Sequence, residues 1–208
     1  MIPEEILDKL GQALANVVAR VSFMLWEKKE FREMIDFDKI SQTEQDRIFN
    51  ELEVSFLGLF YLYLDNLSTQ LENQAEKALV EQLKPALKKG FISLYEDLKI
   101  EKKFIDIWKE LINMRFEEYK KDFKLLMKEG KKAKEISKAC KVIKNDEKFG
   151  LFWARNQTIT LACLQHIRRG KLDHKDPLRK YLQDWVVNVD KIYSDAIKEL
   201  IFKPVAKS

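Results

Sequence analysis

Residues 56–64 read FLGLFYLYL, the longest apolar run in this chain of 208 residues. Nine residues fall short of the roughly 20 that span a bilayer, so we expect a buried helix and no membrane insertion. Helical spacing extends this run back through Leu52 to a start at Ser41, where Glu44 follows three residues later as in a capping box. We expect this helix to lie at the centre of the fold. It should end in residues 65–69, whose short polar side chains compete with the backbone for hydrogen bonds.

Composition favours helices throughout the chain. Hydrophobic residues make up 46% and charged residues 35%, which excludes a disordered chain, while only 6 Gly and 4 Pro argue against the tight turns of a β-sandwich. Apolar residues recur at three- and four-residue spacing, and the length suits one domain. We therefore predict an all-α, single-domain helical bundle of six to seven helices spanning residues 1–208. Besides the central helix, the predicted helices cover residues 3–36, 71–98 with a kink at Pro85 and Gly90, 101–128 ending at Gly130, 131–144, 147–169, and a last helix from Pro177.

The last predicted helix carries an apolar seam with alternating four- and three-residue spacing. Asp176 and Pro177 form an N-cap and first-turn pair that begins it. The seam consists of Leu178, Leu182, Trp185, Val189, Ile192 and Ala196. Such a seam is typical of a helix that packs at a shallow angle in a bundle, or of one that pairs between chains in a homo-oligomer.

The sequence contains no signature of catalysis, of nucleotide binding or of a bound cofactor. Its soft metal ligands are Cys140, Cys163, His166 and His174, whose spacing matches no common zinc site, so we expect no metal. Cys163 and His166 lie one helical turn apart, which suits a nucleophile and its base or, alternatively, an inert core cysteine near a histidine. With only two cysteines and an acidic beginning, the chain is expected to be cytoplasmic.

Basic charge is concentrated in one segment. Residues 128–180 carry 15 Lys and Arg against 6 Asp and Glu, whereas residues 1–127 carry 19 against 24. The predicted basic patch consists of Lys131, Lys134, Lys138, Lys141, Arg168, Arg169 and Lys171. Such a cluster contacts an acidic partner, nucleic acid among them, or is simply a solvated face. We expect a non-enzymatic helical binding protein that uses this segment.

A second interpretation places a small-molecule pocket or an enzymatic site inside the bundle. Asn156 lies in the middle of an apolar helix face, and a buried amide needs hydrogen-bond partners. The candidate pocket residues are Trp153, Arg155, Asn156 and His166. The alternative is that Asn156 bonds a neighbouring helix and fixes its register.

Overall fold

Seven α-helices and one short 3₁₀ turn account for nearly all of the described residues, and no strand occurs among them. The structure is a computed structural model that describes residues 3–139, 147–171, 173 and 175–202, with side chains described except at 131–139, 147, 201 and 202. The elements are α1 (Glu4–Trp26), α2 (Lys29–Met34), the 3₁₀ turn (Phe37–Lys39), α3 (Gln42–Gln70), α4 (Gln74–Asp97), α5 (Lys102–Ala139), α6 (Glu147–Ile167) and α7 (Pro177–Phe202). The predicted all-α bundle of six to seven helices is confirmed.

The helix that holds the long apolar run, α3, lies in the middle of the bundle. It contacts α1, α4, α5, α6 and α7, and every residue from 51 to 60 is buried. A helix that is apolar on nearly all sides needs neighbours on all sides, which explains this position. The Ser41 hydroxyl accepts a hydrogen bond from the Glu44 amide at 3.3 Å, so the predicted N-cap of α3 is confirmed.

Two glycines allow α1 and α4 to pack against each other with their backbones in close approach. A Cβ atom on Gly90 would lie 2.5 Å from the backbone of Gly11, and one on Gly11 would lie 2.2 Å from the Ala86 carbonyl oxygen. Neither glycine can therefore carry a side chain at this helix spacing. The predicted third helix corresponds to α4, which runs through both Pro85 and Gly90.

The prediction that α3 ends in residues 65–69 is wrong. The helix continues to Gln70 because the short polar side chains donate hydrogen bonds back along the helix instead of breaking it. Ser68 Oγ donates to the Asp65 carbonyl at 3.0 Å, and Thr69 Oγ1 donates to the Asn66 carbonyl at 2.7 Å.

Gly130 does not end a helix, as the sequence had suggested. It lies inside α5, which continues from Lys102 to Ala139 and so absorbs the first part of the predicted fifth helix. Its backbone is not left-handed, as a glycine cap would require. Residues 140–144 of the predicted fifth helix lie outside the described residues.

The first helix is shorter than predicted and ends at Trp26. Arg32 of α2 donates a hydrogen bond from Nε to the Trp26 carbonyl at 2.8 Å, which satisfies one of the free acceptors at the end of α1. The Trp26 ring packs edge-on against Phe37 and Phe49, with centroid distances of 5.2 and 5.3 Å. These aromatic contacts hold α2 and the 3₁₀ turn beside α3.

The apolar seam of α7 is used inside the chain. Leu178, Leu182 and Val189 are all buried, and α7 contacts α1, α2, α3 and α6. The Asp176 carboxylate accepts a hydrogen bond from the Leu178 amide at 2.9 Å, which confirms the predicted N-cap. Of the other seam residues, Trp185 and Ala196 are half-buried and Ile192 is 40% exposed. Contacts within the chain therefore cover most of the seam.

Candidate functional site

A cleft of about 260 Å³ opens where α2 and the 3₁₀ turn meet the beginning of α3 and the end of α6. Its apolar lining consists of Ile35, Ile40, Ile48 and Ile167. Three of these isoleucines are also buried members of the hydrophobic core, so the cleft floor is continuous with it. The cleft is small beside the roughly 300–1,000 Å³ of typical small-molecule sites, and it suits one or two chemical groups of a larger partner.

Charged side chains surround this apolar floor. Asp36, Glu44, Arg168, Arg169 and Lys171 line the cleft, and the last three belong to the predicted basic patch. Lys171 is exposed, and the Arg169 side chain is 65% exposed. The rim therefore offers two cations to solvent beside an apolar surface.

Glu44, in the lining of the cleft, is already bound by two arginines. Arg47 donates to both carboxylate oxygens, at 2.9 and 2.6 Å, and Arg169 donates to the same group from α6. The hydrogen bonds from Arg47, helped by those from Arg169, lower the pKa of Glu44 to about 2. Arg47 and Arg169 thus hold Glu44 in its charged form at neutral pH.

Arg168 is fixed in place by its neighbours and is not free to reach solvent. Its guanidinium donates to both Asp176 oxygens, at 2.7 and 3.1 Å, and to the Met34 carbonyl at 3.0 Å. These hydrogen bonds lower the pKa of Asp176. Arg168 therefore ties α6 to α2 and to the beginning of α7 and shapes one wall of the cleft.

The end of α6 presents Arg169 and Lys171 through a left-handed turn. Arg169 has φ 51° and Gly170 has φ 77°, and the Gly170 amide donates back to the Gln165 carbonyl at 2.8 Å. Arg47 satisfies two other end carbonyls of α6, those of His166 and Ile167, at 2.8 and 3.0 Å. Asp36, on the opposite wall, is also left-handed, with φ 54°.

The two halves of the predicted basic patch lie at opposite ends of α6. A Cβ atom on Gly130 of α5 would lie 3.9 Å from the Trp153 ring, whereas Glu118 of α5 pairs with His166, so α5 and α6 are antiparallel. Residues 131–139 therefore run alongside and beyond the beginning of α6, more than about 20 Å from Arg168 at a rise of 1.5 Å per residue. The side chains of Lys131, Lys134 and Lys138 are not described, and Lys141 lies outside the described residues.

The residues of the predicted small-molecule pocket face different neighbours. Trp153 is 40% exposed, whereas Arg155 is buried and donates to both oxygens of Asp190 in α7, each at 2.6 Å. The Arg155 guanidinium also lies over the Tyr63 ring, 5.2 Å from its centroid. The Arg155 charge is therefore neutralised inside the bundle by Asp190, a partner that the spacing of the sequence does not indicate.

Asn156 is buried and bonds its own helix. Its Nδ2 donates to the Phe152 carbonyl at 2.7 Å, one turn back in α6. Its Oδ1 has no hydrogen-bond partner among the described residues. The observed bond thus differs from the cross-helix bond that the sequence suggested as the alternative to a pocket.

His166 belongs to a network of charged side chains at the contact of α3, α5 and α6. Its Nε2 lies 3.2 Å from Glu118, and Arg115 bridges Glu118 at 3.1 Å and Glu51 at 2.8 Å. Burial lowers the pKa of His166, against the opposing attraction of Glu51 and Glu118. The network joins α3, α5 and α6 through Arg115, which pairs with a carboxylate on α3 and with another on α5.

Cys163 is a buried, free thiol. Burial raises the pKa of the Cys163 thiol to about 12, so it remains protonated at neutral pH. This setting is that of a core cysteine, since a reactive thiolate needs exposure and a positive neighbourhood. Among the described side chains, no group of three His, Cys, Asp or Glu residues is placed to hold a metal ion. Cys140 and His174 lie outside the described residues.

Glu53 was not among the predicted site residues, although it interrupts an apolar stretch of α3. It is buried, and Tyr95 of α4 donates a hydrogen bond to its carboxyl group at 2.5 Å. Tyr95 in turn stacks on Trp108 of α5, with ring centroids 4.7 Å apart. Burial raises the pKa of Glu53 to about 7, which makes this group sensitive to pH in the neutral range.

None of the helices, within the residues that the structure describes, has the length and apolar character of a membrane span. Comparison of the chain with protein-family profiles, with curated proteins and with solved structures found no match.

Proposed function

We propose that this chain is a non-enzymatic binding protein whose cleft receives an acidic segment of a protein partner. The observation that supports this is the combination of two exposed cations, Arg169 and Lys171, with an isoleucine-lined cleft of about 260 Å³. An acidic side chain of the partner pairs with the cations, and an adjacent apolar side chain enters the cleft. Charge supplies orientation, and apolar burial supplies affinity.

Glu44 acts as the internal stand-in for the partner's carboxylate. In the free protein Glu44 accepts hydrogen bonds from both Arg47 and Arg169. The partner's carboxylate replaces Glu44 at the Arg169 guanidinium, and Glu44 stays bound to Arg47. The Arg169–Glu44 pair is a partly exposed surface pair, which is worth little by itself, so its loss costs little.

A protein partner fits the cleft better than a nucleic acid. Nucleic acid binding draws on an extended run of cations that follows the phosphate backbone. Here the α5 lysines and the α6 cations are separated by the length of α6, Arg168 is held by Asp176, and two acids line the cleft. The apolar floor also has no counterpart in a phosphate backbone.

Fluorescence anisotropy with a labelled peptide of alternating Glu and Leu tests the proposal. Arg169→Glu combined with Lys171→Glu should weaken binding at least tenfold, because two exposed pairs worth up to about 1 kcal/mol each are lost and like charges then face the partner's carboxylates. The matched control is Lys191→Glu combined with Lys198→Glu, which changes net charge equally on exposed positions of α7.

Two results would refute the proposal. One is equal weakening by both pairs of substitutions, which would mean that binding follows overall charge and not the cleft. The other is tighter binding of a duplex DNA oligonucleotide than of the peptide, which would favour the nucleic-acid interpretation.

A further inference from the structure

An apolar stripe on the outer side of α5 is left uncovered by the part of the chain that the structure describes. Phe104 is 46% exposed, Ile107 59% and Met114 56%, and the half-buried Leu111 lies between the last two. Their spacing of three, four and three residues places them on one helix face, turned away from the buried positions of α5. Leu98, 71% exposed, and Ile100, 38% exposed, adjoin the stripe in the turn between α4 and α5.

The stripe has the size of a protein–protein interface. If each of these five side chains offers on the order of 150–200 Å², the exposed fractions add up to roughly 400–550 Å² of apolar surface, a size found for the largest apolar patch of a monomer. About 57% of the area of a typical protein–protein interface is apolar. An interface with this apolar area would therefore bury about 800 Å² in total on each partner. That is the area of a standard specific interface.

We infer that a second copy of this chain covers the stripe, with the two α5 helices antiparallel about a two-fold axis. A two-fold axis close to residue 109 places Phe104 opposite the partner's Met114, and Ile107 opposite the partner's Leu111. Phe104 then packs against the flexible Met114 side chain, and the branched Ile107 packs against Leu111. Both copies use the same surface, as a closed dimer requires. The axis also brings the two α4–α5 turns to opposite ends of the interface.

The charges beside the stripe favour this antiparallel arrangement. Lys103 lies on its outer flank, and the same axis brings it near the partner's Glu117, with the reciprocal pair on the other side. In its own chain Lys103 pairs with Glu101 at 2.7 Å and lies over the Phe104 ring, 4.8 Å from its centroid, while Glu117 pairs with the half-buried Lys120 at 3.5 Å. Those surface contacts are easily exchanged. Glu110 lies near the axis and faces the partner's Glu110, which is an unfavourable contact of this register.

Sedimentation equilibrium of the full chain across a wide concentration range tests the inference. A monomer–dimer equilibrium is expected, and Ile107→Lys should raise its dissociation constant at least tenfold, because a charge then replaces a central apolar contact. Ile107 is mostly exposed, so the variant should fold, which its circular dichroism verifies. The matched control is Ile192→Lys on α7, an isoleucine that is 40% exposed on the predicted seam, and it should leave the equilibrium unchanged.

The flanking charges test the orientation. Lys103→Glu should weaken the dimer, and adding Glu117→Lys to the same chain should restore it, while Glu110→Gln should strengthen it. A monomer at all concentrations would overturn the inference. So would a dimer that is lost with Ile192→Lys and kept with Ile107→Lys, or one that the double charge exchange fails to restore.

Discussion

Gly90→Ala tests the close approach of α1 and α4. The added methyl group would lie 2.5 Å from the Gly11 carbonyl carbon and oxygen and 2.6 Å from the Gln12 amide nitrogen. These are backbone atoms of α1, so no side-chain rotation relieves the contact. The two helices must separate by about 1 Å to restore van der Waals distance.

The expected cost follows from two opposing effects. Overpacking of a well-packed interior costs about 1–3 kcal/mol, and contact with rigid backbone places this substitution near the upper end. Alanine in a helix gains about 1 kcal/mol over glycine. Gly90→Ala should therefore lower the free energy of unfolding by about 2 kcal/mol.

Gly150→Ala is the matched control. Gly150 lies in α6, and a Cβ atom there would meet no atom within 4 Å, so alanine should raise stability by up to about 1 kcal/mol. Urea unfolding followed by far-ultraviolet circular dichroism measures both variants. Equal stability of the two alanine variants would refute the packing of α1 against α4 through these glycines.

Three further predictions test other parts of the structure by the same unfolding measurement. Gly130→Ala should stabilise the protein by about 1 kcal/mol, because the helix is continuous there and the nearest atom is 3.9 Å away; a loss would indicate a left-handed cap. Glu53 holds its proton more tightly when folded, so wild-type stability should fall by up to about 3 kcal/mol as pH rises from the unfolded pKa near 4.5 to the folded pKa of about 7. Glu53→Gln should remove this part of the pH dependence, and an unchanged profile would contradict the burial of the carboxyl group. Asp190→Ala should lower the free energy of unfolding by about 3–5 kcal/mol, because it leaves the Arg155 charge buried and unpaired. Arg155→Met combined with Asp190→Leu should recover most of that loss. A double variant that is no more stable than Asp190→Ala would argue against the pair.

Helical periodicity and capping were sufficient to predict the class of the fold and the starts of two helices. The apolar run at residues 56–64 needs cover on all sides, and Ser41 and Asp176 act through bonds to amides only two or three residues away. Such local interactions can be read from the sequence. The same kind of local bond, made by Ser68 and Thr69, continues α3, and it was misjudged as helix-breaking. The ion pair between Lys84 of α4 and Asp65, at 2.6 Å, also keeps that region in place and joins residues too far apart to be read in this way.

The candidate site was predicted only in part. Arg168, Arg169 and Lys171 do line one cleft, because they follow one another at the end of a helix. Their partners come from far along the chain: Glu44 lies 125 residues from Arg169, and Arg155 pairs with Asp190 of another helix. Sequence patterns do not indicate pairing between distant helices, so they could not show that Arg168 is bound by Asp176 or that isoleucines from four places along the chain form the cleft floor.

The most direct test of the proposed cleft is a set of amide correlation spectra recorded while the alternating Glu and Leu peptide is added. The largest shifts are expected at Glu44, Arg169 and Lys171, with smaller ones around the isoleucines of the cleft. Shifts centred on the exposed lysines of α7, or spread evenly over all surface lysines, would contradict the assignment of binding to this cleft.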